Sequence, residues 1–271
     1  MCNKNNAPIG VFDSGVGGLT VVREIMRHLP NENLVYFGDT ARVPYGSKSE
    51  SSIIRFSRQI IHFLKTKDVK AIVIACNTAS ALALDIVRRE SDIPIIGVVI
   101  PGAHAAVRET RNKKIGVIAT EATIKSNMYT KLMQQEDPEV SAIGKACPLF
   151  VPLIEEGFAK HKITKEVIDI YLRDMRESGI DTLILGCTHY PLLRAGISEY
   201  MGDKIHIVNP AYETAMELKR TLKETNMENE GTGEASYEFY SSDAPVKFKT
   251  FANSILPCNI TWIEHINIEE Y

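Results

Sequence analysis

The residues with the clearest capacity for chemistry are two cysteines in matching surroundings. Cys76 closes the apolar run Ala71–Ala75, and Cys187 follows the run Thr182–Leu185 by one glycine. Small polar residues come next in both places: Asn77 and Thr78 after the first, Thr188 and His189 after the second. A buried cysteine often serves only as a small hydrophobe. Two in matching contexts argue for use of the thiols. A free thiol titrates at about pH 8.5, so modest tuning makes both its forms available near neutrality. Two thiols converging from similar units could place an acid and a base on opposite faces of one carbon. One would take a proton and the other return one, which inverts a stereocentre. Asp13 and His189 are the candidate tuners. Ser14, Asn77, Thr78 and Thr188 can donate hydrogen bonds to a carboxylate.

The elements that must position these groups follow from the pattern around them. Short, continuous apolar runs rich in β-branched residues read as buried parallel strands. Ile9–Phe12, Leu34–Phe37, Ala71–Ala75, Ile93–Val99, Ile115–Ala119, Thr182–Leu185 and Ile205–Val208 are of this kind. Helical patterns separate them over Leu19–Leu29, Ser49–Lys65, Ala79–Glu90, from Thr123 toward Gln135, over Thr164–Ser178 and over Pro210–Thr225. The alternation predicts an α/β protein with mainly parallel sheets. Ligands in such sheets bind past the carboxyl ends of the strands, where both cysteines fall. The pattern also restarts: IGVF at 9–12 is echoed by IGVIA at 115–119. Cys76 lies 66 residues after Gly10, and Cys187 lies 71 after Gly116. Two similar units are expected, 1–98 with 210–271 as the first and 99–209 as the second. The tail, read as strand 237–241, helix 243–256 and strand 260–266, is expected to pack on the first unit.

Several stretches allow competing readings. Asp13-Ser14-Gly15-Val16-Gly17-Gly18 joins a strand to a helix, but it lacks the third glycine of a dinucleotide fingerprint, and no Walker motif exists. Such a turn suits a carboxylate as well as a phosphate; Asp13 could equally cap the helix. Pro44, Tyr45 and Gly46 lie in a loop that either closes over a site or turns at the surface. Cys147–Pro152 reads as extended, with Cys147 as packing, and Glu155 and Glu156 as first-turn acids of a helix. Cys187-x-His189 offers two metal ligands, yet no third is visible. His62 reads as helix surface, and Cys258 and Trp262 as structural.

Composition sets wider bounds. The 271 residues, 44% hydrophobic and 24% charged, suit one large or two modest globular domains. A net charge of −3 gives no general attraction to nucleic acid or membranes. The longest apolar stretch, 93–103, is too short and too broken by proline to span a bilayer. The N-terminal sequence lacks an apolar signal core, and five cysteines without a C-x-x-C pair suggest reduced thiols. A cytoplasmic location is expected.

The stretches DSGVGGLTVVREI, YFGDTARVPYGSKS, ACNTASA, CPLFVPLIEEG and LGCTHYPLL together resemble the glutamate racemases, in order and over nearly the whole chain. The resemblance implies a cofactor-independent enzyme that interconverts L- and D-glutamate and supplies D-glutamate to peptidoglycan synthesis. It implies two α/β domains with the site between them. Cys76 would act on the D enantiomer and Cys187 on the L enantiomer, assisted by Asp13, His189 and Glu155. Asp13-Ser14, Pro44-Tyr45-Gly46, Asn77-Thr78 and Thr188-His189 match substrate-binding positions, and Thr120 and Thr123 match more weakly. Family members differ in oligomeric state, and a homodimer is among the expectations. Rival readings are an aspartate racemase, a non-catalytic α/β module binding an acidic metabolite, and a thiol-redox protein.

Overall fold

The computed structural model describes residues 4–231 and 233–271. The chain first lays down β1 (Ile9–Asp13), β2 (Leu34–Gly38), β3 (Ala71–Ile74) and β4 (Ile95–Gly97). It then lays down β5 (Lys114–Ala119), β6 (Ser141–Ala146), β7 (Thr182–Gly186) and β8 (His206–Val208), and ends with β9 (Tyr237–Ser241) and β10 (Glu264–His265). Two sheets result. Their strand orders are β10-β9-β2-β1-β3-β4 and β6-β5-β7-β8, with every pairing parallel. The last four strands of the first sheet and all four of the second thus share one order. In each, the IGV strand lies beside the cysteine strand: Gly10 pairs with Ile72, and Gly116 with Leu183.

Why these runs form strands is visible in how they are buried. Side chains alternate across a sheet, and both faces here are covered. Ile9, Val11, Ala71 and Val73 enter one cluster, while Phe12, Ile72 and Ile74 enter another. In the second sheet Leu183 and Leu185 face one cluster, and Ile184 the other. Helices supply the opposite walls. The helix Glu50–Lys65 starts at Ser49, whose hydroxyl accepts from the Ser52 N–H, and it buries Ile53, Ile60 and Leu64. The helix Pro210–Glu224 buries Ala211, Ala215, Leu218 and Leu222 against the first sheet. The strand β9 adds to β2, and β10 to β9, so the tail extends the first sheet.

Several boundaries differ from expectation. The helix expected over 79–90 is two, Asn77–Leu82 and Leu84–Arg89, separated at Ala83. The strand expected over 93–99 is confined to β4, and a helix Val99–Glu109 starts directly after it. Pro101 sits in the first turn of that helix, where its missing N–H removes no bond. The stretch 147–152 is not extended throughout. Phe150–Glu155 is helical, so Glu155 ends a helix instead of starting one. The final strand shrinks to β10, and Trp262 is 75% exposed, not structural. Strand β6 was not anticipated.

At the amino ends of the strands, Lys70 and Glu32 form an ion pair at 2.6 Å, with side chains only 2% and 3% exposed. Lys70 Nζ also donates to the carbonyls of Asn5 and Met227, and Glu32 accepts from the Asn229 N–H. Removing one member strands the other in a dry site. Lys70→Met is therefore expected to lower stability by about 3–5 kcal/mol, read by urea unfolding. Lys70→Met with Glu32→Leu is expected to lose less. A loss below about 1 kcal/mol for the single change would contradict a buried, mutually dependent pair.

Candidate active site

The order β2-β1-β3-β4 reverses direction between β1 and β3, and β6-β5-β7-β8 does so between β5 and β7. Crevices open at such points beyond the strands' carboxyl ends. Asp13 ends β1, and Cys76 lies just past β3 as the residue preceding the helix Asn77–Leu82. Thr120 follows β5 and precedes the helix Glu121–Ser126, and Cys187 follows β7 directly. The two crevices meet in one cavity of about 240 Å³.

Both thiols line this cavity. From the first sheet come Ser14, Pro44, Tyr45, Gly46, Asn77 and Thr78; from the second come Thr120, Glu155, Thr188 and His189. Two further candidates lie behind it. Asp13 is wholly buried, and Thr123 is 2% exposed beneath Thr78 and Thr120. The three threonine hydroxyls form a triangle across the two units, with Thr78–Thr120 at 2.9 Å, Thr120–Thr123 at 3.0 Å and Thr78–Thr123 at 3.3 Å. Gly15, Val43, Val151 and Pro152 also line the cavity. Sequence reasoning had not singled out these four, although each lies within a quoted motif.

The loop bearing Tyr45 is fixed by Asp39. This buried carboxylate accepts from the Tyr45 hydroxyl, from Arg42 Nε at 2.7 Å and from Ser242 Oγ at 2.8 Å. The glycine-rich turn has a different duty from phosphate binding. A Cβ on Gly17 would come within 2.4 Å of His189 Nδ1 and Thr188 Oγ1, and one on Gly18 within 2.5 Å of Asp13 Cβ. Glycine is what allows the second unit's Thr188-His189 segment to approach the first unit's turn. The Thr20 hydroxyl then donates to the Thr188 carbonyl at 2.8 Å, and the Thr188 hydroxyl to Asp13 Oδ1 at 3.4 Å.

Electrostatically the two thiols are not equivalent. Burial, reinforced by the nearby Asp13, pushes the Cys76 thiol up to about 12; the Ala79 N–H and the Ser14 hydroxyl, at 3.6 Å, oppose this. Burial also raises the Asp13 carboxyl above its usual range, against the pull of His189 and of the Gly18, Gly15 and Ser14 N–H groups. For His189, burial acts to lower the imidazole. Hydrogen bonds with Cys187 and Glu155, and the charges of Cys187 and Asp13, outweigh it and bring the group to about 10. His189 Nε2 and Glu155 Oε1 are 2.9 Å apart. The same hydrogen bond holds Glu155 below its ordinary value despite partial burial. Cys76 is thus a thiol at neutral pH, and Cys187 has an imidazolium beside it. Of the other cysteines, Cys147 is buried among apolar side chains and pushed up to about 12 by burial, and Cys258 is half-buried. Cys2 lies outside the described residues. Among the described residues no group of three or more His, Cys, Asp or Glu gathers to hold a metal ion.

Residues 9–218 match the model of the Asp/Glu/hydantoin racemases. A glutamate racemase of Neisseria meningitidis serogroup A is 46% identical over 262 residues, covering 96% of this chain and 97% of that one. The crystal structure of a glutamate racemase isoform from Bacillus anthracis superimposes with a TM-score of 0.93 at 38% identity, covering 97% and 98% of the two chains. That of the Francisella tularensis glutamate racemase in complex with D-glutamate gives 0.92 at 40% identity, over 98% of this chain and all of the other. The chain belongs to the aspartate/glutamate racemase family, a family of amino-acid isomerases, and its near relatives there are glutamate racemases.

The ion pair at His189 sets a pH dependence. The folded-state value of His189 is raised, so the stabilisation from its charged form is complete below about 6.5 and is lost as pH rises through about 10. The folded-state value of Glu155 is lowered, so its contribution is present above the ordinary 4.5 and lost as pH falls through the depressed value. Glu155→Gln is expected to move the His189 titration down toward neutrality, read by NMR of the imidazole, and to bring the alkaline loss of activity to lower pH with it. A His189 titration unchanged by this substitution would contradict the pairing.

Proposed function

We propose that this chain interconverts L- and D-glutamate without an added cofactor, with Cys76 and Cys187 as the two proton carriers. The observation that supports this most directly is the convergence of both thiols, one from each sheet, on a single cavity. The names and ligand of the near relatives supply the substrate. On this reading residues 1–98 with 210–271 form one lobe, and 99–209 the other.

The reaction follows from the asymmetry of the site. His189, held as the imidazolium, gives the Cys187 sulfur the counter-charge that a thiolate requires. That thiolate takes the α-proton of L-glutamate, and the electron pair stays on the α-carbon. Cys76, held as a thiol by burial, delivers its proton to the opposite face. D-glutamate results, with Cys76 as thiolate and Cys187 as thiol. For the reverse direction Cys76 first gives its proton to Asp13, whose raised carboxyl makes it the better base, and the Cys187 thiolate takes one from the His189 imidazolium. Ser14, Asn77, Thr78, Thr120 and Thr188 supply hydroxyl and amide donors for the two substrate carboxylates, and Thr123 acts through the Thr78 and Thr120 hydroxyls. Glu155 acts through His189. The product would serve peptidoglycan synthesis in the cytoplasm of a bacterial cell.

Polarimetry of the purified protein tests this. L- and D-glutamate are expected to racemise fully with no pyridoxal phosphate, metal or nucleotide, and aspartate is expected to turn over far more slowly. Cys76→Ala and Cys187→Ala are each expected to lower kcat by at least about a thousandfold, since each leaves one face without its proton carrier. Cys258→Ser is expected to leave turnover nearly intact. Similar losses from all three changes would show that the pairing singled out nothing.

A further inference from the structure

Asn77 lines the cavity directly after Cys76, and its carboxamide can face a ligand in two ways. With NH2 inward it donates to a carboxylate; with its oxygen inward it repels one. The orientation is set from the other unit. Tyr129, in the first turn of the helix Met128–Glu136, is 3% exposed, and its hydroxyl donates to Asn77 Oδ1 at 2.7 Å. Burial, then the Cys187 sulfur, raises the Tyr129 phenol far above its ordinary value, so it remains an O–H donor throughout the working pH range. A donor at Oδ1 leaves the NH2 group as the part of Asn77 free to face the cavity. The ring that carries the hydroxyl is itself anchored beside the second cysteine. A Cβ on Gly186, the residue before Cys187, would meet Tyr129 Cε2 at 3.2 Å, and one on Gly102 would meet the Tyr129 hydroxyl at 3.4 Å. Tyr129 therefore touches the residue after one cysteine and the residue before the other.

We propose that Tyr129 is a positioning residue that holds the Asn77 carboxamide with its NH2 toward the cavity, and so ties the carboxylate-binding surface of the first unit to the Cys187 strand of the second. What Asn77 then meets in the cavity rests on the racemase reading. The hydroxyl acts only through Asn77; it lines no part of the cavity itself.

A double-mutant cycle with Tyr129→Phe and Asn77→Ala decides the matter. Phenylalanine keeps the ring, so a melting temperature within a few degrees of the unchanged chain is expected. Tyr129→Phe is expected to raise KM for glutamate roughly three- to tenfold, the size of one hydrogen bond, with kcat changed less. In the Asn77→Ala background the same change is expected to add nothing. An unchanged KM, or an equal effect in both backgrounds, overturns the inference. A second readout needs no substrate. Tyr129→Phe is expected to move the Asn77 side-chain amide resonances toward those of exposed asparagines, and resonances that stay in place overturn the inference. If the unchanged chain fails to racemise glutamate, the functional reading falls, and the amide resonances still decide the part played by Tyr129.

Discussion

The structure depends on one close approach. The turn Gly15–Gly18 of the first unit and the Thr188-His189 segment of the second are packed so tightly that a single methyl at Gly17 would overlap the imidazole and the threonine hydroxyl. Everything the site can do follows from this contact. It places Thr188 on Asp13 and Thr20 on the Thr188 carbonyl. It brings His189 close enough to Asp13 for each to feel the other's charge. It also closes one side of the cavity, so both thiols are nearly dry. On the far side Tyr129 and the threonine triangle make the corresponding bridge.

Dryness gives the two similar halves different chemistry. Charge is costly in a buried site unless it is matched. Cys76 has Asp13 as a neighbour and responds by holding its proton. Cys187 has His189, whose cation is supported on its other nitrogen by Glu155. Two halves with one strand order thus present an acid on one side and the partner of a cation on the other. The cavity between them is lined by the neutral hydrogen-bonding side chains of Ser14, Asn77, Thr78, Thr120 and Thr188.

Much of this was legible in the sequence because buried parallel strands are continuous apolar runs. The two IGV strands and two cysteine strands stood out, and their pairing follows the repeat. What could not be read has particular physical causes. Strand β6, SAIGKA, pairs on one side only and buries none of its residues fully, so its composition carries no hydrophobic signal. The helix Val99–Glu109 was hidden by Pro101, which breaks a helix interior but is tolerated in a first turn. Pro152 likewise disguised the helix that delivers Glu155. Trp262 shows the opposite error, since a large aromatic side chain is not thereby buried. Nearly all the lining residues of the site lie in the two cysteine motifs or in the stretches DSGVGG, VPYG and CPLFVPLIEEG. Tyr129 lies in none of them, and at helical spacing it reads as ordinary core. Its role depends on a contact 52 residues distant in the chain.

The central claim is that two different groups handle the proton on the two faces of one carbon. Isotope placement tests it directly. Protiated L-glutamate is turned over in deuterated water and stopped at a few per cent conversion, roughly where reverse passage is negligible. The enantiomers are then separated and weighed by mass spectrometry. The account predicts that newly formed D-glutamate carries deuterium at the α-carbon from the earliest turnovers, while the remaining L-glutamate carries little. The mirror result is expected from D-glutamate. Early product that is mostly protiated would mean that a single base returns the proton it took, and would contradict the account.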